Sequence, residues 1–243
     1  MTVRWLVVRF EAPLIAFGGI AVDQIGPVRD FPSASMLRGL IGNALGWHWS
    51  DGRAHQAVQD RMIFAARRDR EGTLLTDTQN AMLNKDDKGW TTHGVPEGRD
   101  GASYGAPHRR QRDYHADVSM RIVLRLSPEE ETPTVDDLAE AFDNPARPLF
   151  LGRKPCLPSA PLLSPGAGRW VTAATAHEAL CSIPGAEQAV EPLRALWPVG
   201  EGPEAGEMVD RIYDLADLRN WRTGLHGGSR RVVEGRMIGA RTP

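Results

Sequence analysis

The segment from Phe31 to Gly46 constrains the fold of this chain more than any other. Phe31-Pro32-Ser33 opens a helix with Ser33 placed as N-cap, and Met36, Leu37, Leu40, Ile41, Ala44 and Leu45 form the double apolar stripe of a core-facing helix. Gly39, Gly42 and Gly46 fall in the same stretch. An interior glycine costs about 1 kcal/mol relative to alanine. Three of them predict close approach of another backbone, from a strand or a ligand.

Around this helix the apolar spacing predicts alternating element types. Val3 to Phe10, β-branched and aromatic, reads as a buried strand, and the Gly-rich stretch through Phe17-Gly18-Gly19 and Gly26-Pro27 reads as loop. Arg61 to Arg68 and Gly72 to Asp77 read as short strands joined by a tight turn. Asp117 to Leu126 alternates, with Val118, Met120, Ile122, Leu124 and Leu126 on one face and Arg121 and Arg125 on the other, as in a half-buried strand. Thr134 to Asp143 predicts an amphipathic helix, Leu149-Phe150-Leu151 a short strand, and Gly152-Arg153-Lys154-Pro155 a turn. Thr78 to Arg112 holds few core residues and is too long for a simple connection, so it is expected to be a functional or disordered loop. The order approximates the split βαβ, ferredoxin-like arrangement, which is also the RNA-recognition topology, and the fold class expected is α+β. Beyond about Leu162 the pattern weakens; Ala189 to Leu196 reads as a short helix and Met208 to Asn220 as mixed. The expected division is a domain over 1–160, including a thumb at about 78–115, and a small β-containing appendage over 161–243.

With 41% apolar and 25% charged residues the 243-residue chain has an ordinary globular composition. Apolar runs such as Trp5 to Val8 are too short to cross a bilayer, and Arg4 and Arg9 interrupt any signal-peptide core, so a cytoplasmic protein without membrane association is expected. Cys156 and Cys181 make neither a disulfide framework nor a zinc site, and the seven histidines show no metal-ligand spacing, so no metal or cofactor is expected. The net charge of −2 argues against generic nucleic-acid binding, but the charges are segregated. Acids gather at Glu129–Glu131 with Asp136, Asp137 and Glu140, and at Glu201, Glu204, Glu207 and Asp210. Of the 29 basic residues all but Lys85, Lys88 and Lys154 are arginines, the better residue for bidentate phosphate contact and stacking. They cluster at Arg67, Arg68 and Arg70, at Arg109, Arg110 and Arg112, at Arg153 and Lys154, and at Arg230 and Arg231, so local patches can bind an anion.

Three segments carry a resemblance: Arg9 to Pro13 through Phe17-Gly18 into Arg29 to Gly46; Arg112-Asp113-Tyr114-His115-Ala116-Asp117; and Arg147 to Cys156. In this order, over roughly residues 1–165, they resemble the CasD family, the fifth-family Cas subunit of the type I-E CRISPR Cascade complex. Phe17 stands where that family usually has tryptophan, and Pro155 where it has serine. Ser229-Arg230-Arg231-Val232-Val233 keeps the arginines of a C-terminal basic-aromatic segment without its aromatics.

The resemblance implies an RNA-recognition-type (RAMP) fold with an extended thumb, in a non-catalytic subunit that caps the 5′ handle of crRNA. It implies as neighbours a backbone subunit of the seventh family and the large subunit, with target DNA met only through the complex. The expected RNA contacts are the Gly152-Arg153-Lys154 turn for phosphate, the helix start at Arg29, Ser33, Ser35 and Arg38, whose free N–H groups offer an anion seat, and Arg109, Arg110, Arg112 and Tyr114 at the end of the thumb. Type I-C relatives cleave precursor crRNA with tyrosine, histidine and lysine, which makes Tyr114, His115 and Lys154 the catalytic set of the alternative reading, a metal-independent endoribonuclease.

Overall fold

The computed structural model describes residues 2–81, 89–90, 96–97, 108–184 and 192–240. Its main sheet has seven strands, all paired antiparallel: β1 (Val3–Glu11), β4 (Met62–Arg70), β9 (Ser119–Leu126), β10 (Trp170–Ala173), β11 (Leu193–Pro198), β12 (Val209–Arg219) and β13 (His226–Met237), in the order β10-β1-β9-β4-β11-β13-β12. Four helices cover it: α1 (Ala34–Ala44), α2 (Gly52–Arg61), α3 (Val135–Asp143) and α4 (Ala176–Ser182).

Alternation along β1 sends Leu6, Val8 and Phe10 to one face and Trp5 and Val7 to the other, and both sets are buried. The first face packs on α1, α2 and α3 through Leu37, Leu40, Ile41, Val58, Leu138 and Phe142; the second packs on α4 through Ala176, Ala179 and Leu180. The strand expected to be half-buried is therefore covered on both sides: Val123 of β9 is as buried as Ile122, because α4 roofs the face on which only Arg121 and Arg125 were legible. Helix starts follow the expected chemistry. The Ser33 hydroxyl accepts the Met36 N–H at the head of α1, and Thr134 and Asp137 form a reciprocal capping box at the head of α3.

Elsewhere the structure corrects the sequence reading. Residues 193–198 form a strand rather than the end of a helix, because β11 fills the gap between β4 and β13 and bonds both. Leu149–Leu151 is not a strand: the Leu151 N–H donates to Cys156 O (2.7 Å) and its carbonyl accepts from Ala16 N (3.1 Å), which spends its backbone on a turn. The strand after Gly72 leaves the main sheet instead of pairing with β4. As β5 (Thr73–Ala81) it runs beside β8 (His108–Ala116) in a second sheet, with β2 (Leu14–Ile15) and the parallel β3 (Ile25–Gly26) on the other edge of β8. The expected loop over 78–112 is thus a β-ribbon at both ends. Within it β6 (Gly89–Trp90) pairs with β7 (Pro96–Glu97), and the rest lies outside the described residues, as do 185–191. The strands beyond residue 160 extend the sheet begun by β1, β4 and β9.

None of the three helix glycines has another strand's backbone as its nearest neighbour. Gly46 takes φ +77° just past the C-cap Leu45, Gly42 meets the His55 side chain rather than a backbone, and Gly39 faces open space.

Candidate nucleic-acid interface

Two surfaces carry the cations. The first is the β5–β8 ribbon, where Arg109 lies opposite Asn80, Arg110 opposite Gln79 and Arg112 opposite Asp77. Strand alternation puts Arg110 and Arg112 in line with Tyr114 on one face and Arg109 on the other. Arg109 and Arg110 are exposed and Arg112 half-buried; none of the three forms an ion pair among the described residues. β5 is exposed along almost its whole length, so the ribbon stands off the body.

Tyr114 and His115, at the ribbon's base, are both buried. The Arg153 guanidinium lies 4.7 Å from the Tyr114 ring centroid, and donates to Asp113 O (2.7 Å) and Gly26 O (3.0 Å). His115 Nε2 is 2.8 Å from Arg29 O; burial, with help from the Arg68 charge, holds its pKa below the ordinary 6.5. Tyr114 and His115 point to opposite faces of β8 and are shielded from solvent, while Lys154 is exposed. The three residues of the cleavage reading therefore present no shared, open acid–base pair. Among the described residues there is also no group of three or more His, Cys, Asp or Glu able to hold a metal ion.

The second surface is a cavity of about 690 Å³. Its floor is α1 (Ser33, Ser35, Gly39, Asn43), one wall is Gly18-Gly19 with the Phe150–Arg153 turn, and the other is Trp47, Trp49, His55 and Trp221. Arg147, Arg153 and Arg219 line it, and among the described residues no aspartate or glutamate does. These arginines have no carboxylate partner among the described residues. Arg147 donates to Gly46 O (2.9 Å) and Trp47 O (2.8 Å), and Arg219 lies over the Trp221 ring at 5.0 Å.

Several expected contacts take other roles here. The head of α1 is not an empty anion seat: the Asp217 carboxylate on β12, wholly buried, accepts the Ala34 N–H at 2.9 Å and pairs with Arg230. Arg38 is wholly buried between Trp47 and Trp221, 5.0 and 5.2 Å from their ring centroids, with Nε donating to His55 O (2.8 Å); burial pushes its pKa down to about 9. Arg29 bonds Gly18 O and Ala216 O and so ties the glycine loop to β12. Gly152, at φ +100°, is required by the fold itself, since a Cβ there would sit 1.8 Å from Ala16 O. Ser33, Ser35, Gly152 and Arg153 do converge on one cavity, whereas Arg112 stays beside it, next to Gly26.

Trp47, Trp49, Trp221, Arg147 and Arg219 were not singled out from the sequence. Their signal is the Trp47-His48-Trp49 pair after the helix and the Arg219-Asn220-Trp221-Arg222 run, a basic-aromatic segment just ahead of the place where one was sought.

Fold and surfaces together define a mixed α/β protein with a mainly antiparallel sheet, a basic ribbon and a cation-lined aromatic cavity. The family model described as CRISPR-associated protein (Cas_Cas5) matches residues 5–233, and the chain belongs to this family. CRISPR system Cascade subunit CasD of Escherichia coli (strain K12) is 28% identical over 158 residues, 65% of this chain and 69% of that protein. A solved chain of a CRISPR RNA-guided surveillance complex superposes with a TM-score of 0.71 at 20% identity, covering 97% of this chain and 90% of its own. A crystal structure of a Cas protein superposes with a TM-score of 0.65 at 22% identity, covering 100% and 98%.

Proposed function

We propose that this chain is the non-catalytic subunit of a Cascade-type surveillance complex that binds and caps the 5′ handle of crRNA. The observation that carries the reading is the family match over residues 5–233, which spans ribbon, cavity and sheet alike. The fold supports it: β1, β4, β9 and β10 stand in the order β10-β1-β9-β4, the 4-1-3-2 order of the split βαβ, RNA-recognition domain, with α1 and α2 in the first crossover and α3 in the second. On this reading the β5–β8 ribbon is the base of a thumb, and Arg110 and Arg112 lie along the guide backbone. Arg109 reaches phosphate from the opposite face, and Lys154 adds an exposed cation beside the cavity. The partners are crRNA, a backbone subunit of the seventh family and the large subunit, in a cytoplasmic ribonucleoprotein that meets target DNA through base pairing by the guide.

The test is co-expression with the neighbouring subunits and a repeat-spacer array, followed by analysis of the RNA that co-purifies. Arg110→Ala with Arg112→Ala is expected to lower guide retention; full retention refutes the ribbon's role. Incubating the purified chain with repeat RNA, without divalent metal, tests catalysis. Site-specific cleavage that disappears in His115→Ala would overturn the non-catalytic reading.

A further inference from the structure

We propose that the cavity beside α1 holds a single unstacked nucleotide of the guide, with Trp49 as its stacking platform and Arg147 and Arg219 as its phosphate contacts. This deepens the RNA-binding reading and rests on it. Three observations carry it.

The first is charge. Among the described residues three arginines line the cavity and no acid does, in a chain whose net charge is −2. Such a lining suits an anion and does not reflect a uniformly basic surface.

The second is the aromatic wall. Trp47 and Trp221 are locked from behind: Arg38 is inserted between them, and His55 stacks on Trp221 with centroids 4.6 Å apart and planes 14° from parallel. Trp49 is different. It is 79% exposed, and its one aromatic neighbour among the described residues is His48, tilted at 5.6 Å. A large free ring at the mouth of a preorganised cavity is the arrangement that stacks a base without reading its sequence.

The third is size and edge chemistry. About 690 Å³ suits a small-molecule-sized group rather than a duplex. Asn43 commits its amide nitrogen to Pro148 O (2.7 Å), which leaves the amide oxygen for polar contact, while the Ser35 hydroxyl, which also lines the cavity, lies 3.2 Å from that of Ser33. An unmodified peptide side chain offers a flat ring or a negative charge but never both, whereas one nucleotide supplies both.

The experiment uses the full chain and a short single-stranded RNA matching the 5′ end of the guide, with 2-aminopurine placed at each position in turn. One position is expected to be quenched on binding. The quench should be lost in Trp49→Ala and kept in Trp49→Phe, and affinity in Trp49→Ala should fall roughly 5- to 150-fold, the equivalent of one base–aromatic stack. Arg147→Gln with Arg219→Gln is a second probe, expected to weaken binding and flatten its salt dependence. Unchanged quenching and affinity in Trp49→Ala, with binding still weakened by Arg110→Ala and Arg112→Ala, overturns the pocket and leaves the RNA reading standing. The pocket is likewise overturned if RNA leaves Trp49 open to oxidation and a neighbouring subunit protects it, because a protein segment then fills the cavity. If the unaltered chain binds no RNA, both readings fall.

Discussion

Asp217 is the most exacting test of how the site is built, because the sequence placed an RNA phosphate where the structure places this carboxylate. Asp217 Oδ2 accepts the Ala34 N–H at 2.9 Å, and Arg230 Nε donates to both carboxylate oxygens at 3.1 Å. The Asp217 side chain is fully buried and that of Arg230 is 17% exposed. Asp217→Ala leaves a nearly buried guanidinium without its counter-charge and an N–H of the first turn of α1 without an acceptor. Removing one partner of a buried pair costs about 3–5 kcal/mol. The residual exposure of Arg230 puts this case near the lower end, and at about 2–4 °C per kcal/mol for a chain of this size the melting temperature falls by roughly 6–12 °C. Asp217→Asn keeps the acceptor for Ala34 and loses the charge, so it should cost less by one hydrogen bond, about 1 kcal/mol. Urea denaturation followed by circular dichroism, with the slope unchanged, measures both. Adding Arg230→Met to Asp217→Ala should recover part of the loss, because the orphaned charge leaves with its partner. An Asp217→Ala protein within about 1 kcal/mol of the unaltered chain would refute the buried-pair account. RNA affinity of Asp217→Asn is expected to be unchanged; a gain would mean that the carboxylate had been keeping phosphate away from α1.

Three further outcomes follow from the same geometry. If Arg110 and Arg112 each neutralise a phosphate, replacing both with alanine should flatten the slope of log affinity against log salt by about 1.4, at roughly 0.7 per contact for single strands, measured by fluorescence anisotropy. Gly152→Ala forces a Cβ onto Ala16 O and an alanine into φ +100°, so it should destabilise the chain by more than the ~1–3 kcal/mol of backbone strain alone; a melting curve like that of the unaltered chain would contradict the close approach. His115 has a folded pKa below its ordinary 6.5, chiefly through burial, so the unfolded chain takes up its proton first as pH falls. Stability should therefore drop below about pH 6.5, down to the folded pKa, and His115→Gln should remove that part of the slope in urea titrations at stepped pH.

The parts of the fold legible in the sequence are those where local chemistry and tertiary packing agree. Ser33 and Thr134 cap the helices their positions predicted, β1 forms where β-branched and aromatic residues run together, and β9 forms where apolar alternation is strong. β8 was hidden because His108 to Ala116 is polar and arginine-rich; it is a strand because Thr73–Ala81, about thirty residues upstream in sequence, supplies its ladder. β11 was hidden for the opposite reason. Its leucines and alanine favour a helix in isolation, and only the open edges of β4 and β13 make the extended form better.

Charge clusters are visible in one dimension and cavities are not, which divides the two surfaces. Arg110 and Arg112 were legible because they are close in sequence and stay close in space. The cavity joins Gly18-Gly19, α1, Trp47 to His55, Arg147 to Arg153, and Arg219 to Trp221, and the crossing of β12 over the head of α1 brings the last of these home. The division also bears on what each surface contributes. Ribbon arginines that meet only phosphates raise affinity wherever the guide lies, and fix nothing about which nucleotide lies there. On the proposed reading, a cavity that admits one base would stop the strand from sliding by a nucleotide, because sliding would pull that base out of its stack on Trp49. A subunit that caps an RNA end needs both, and the two are separable: losing the ribbon should weaken binding uniformly, and losing Trp49 should blur the register of an RNA that stays bound.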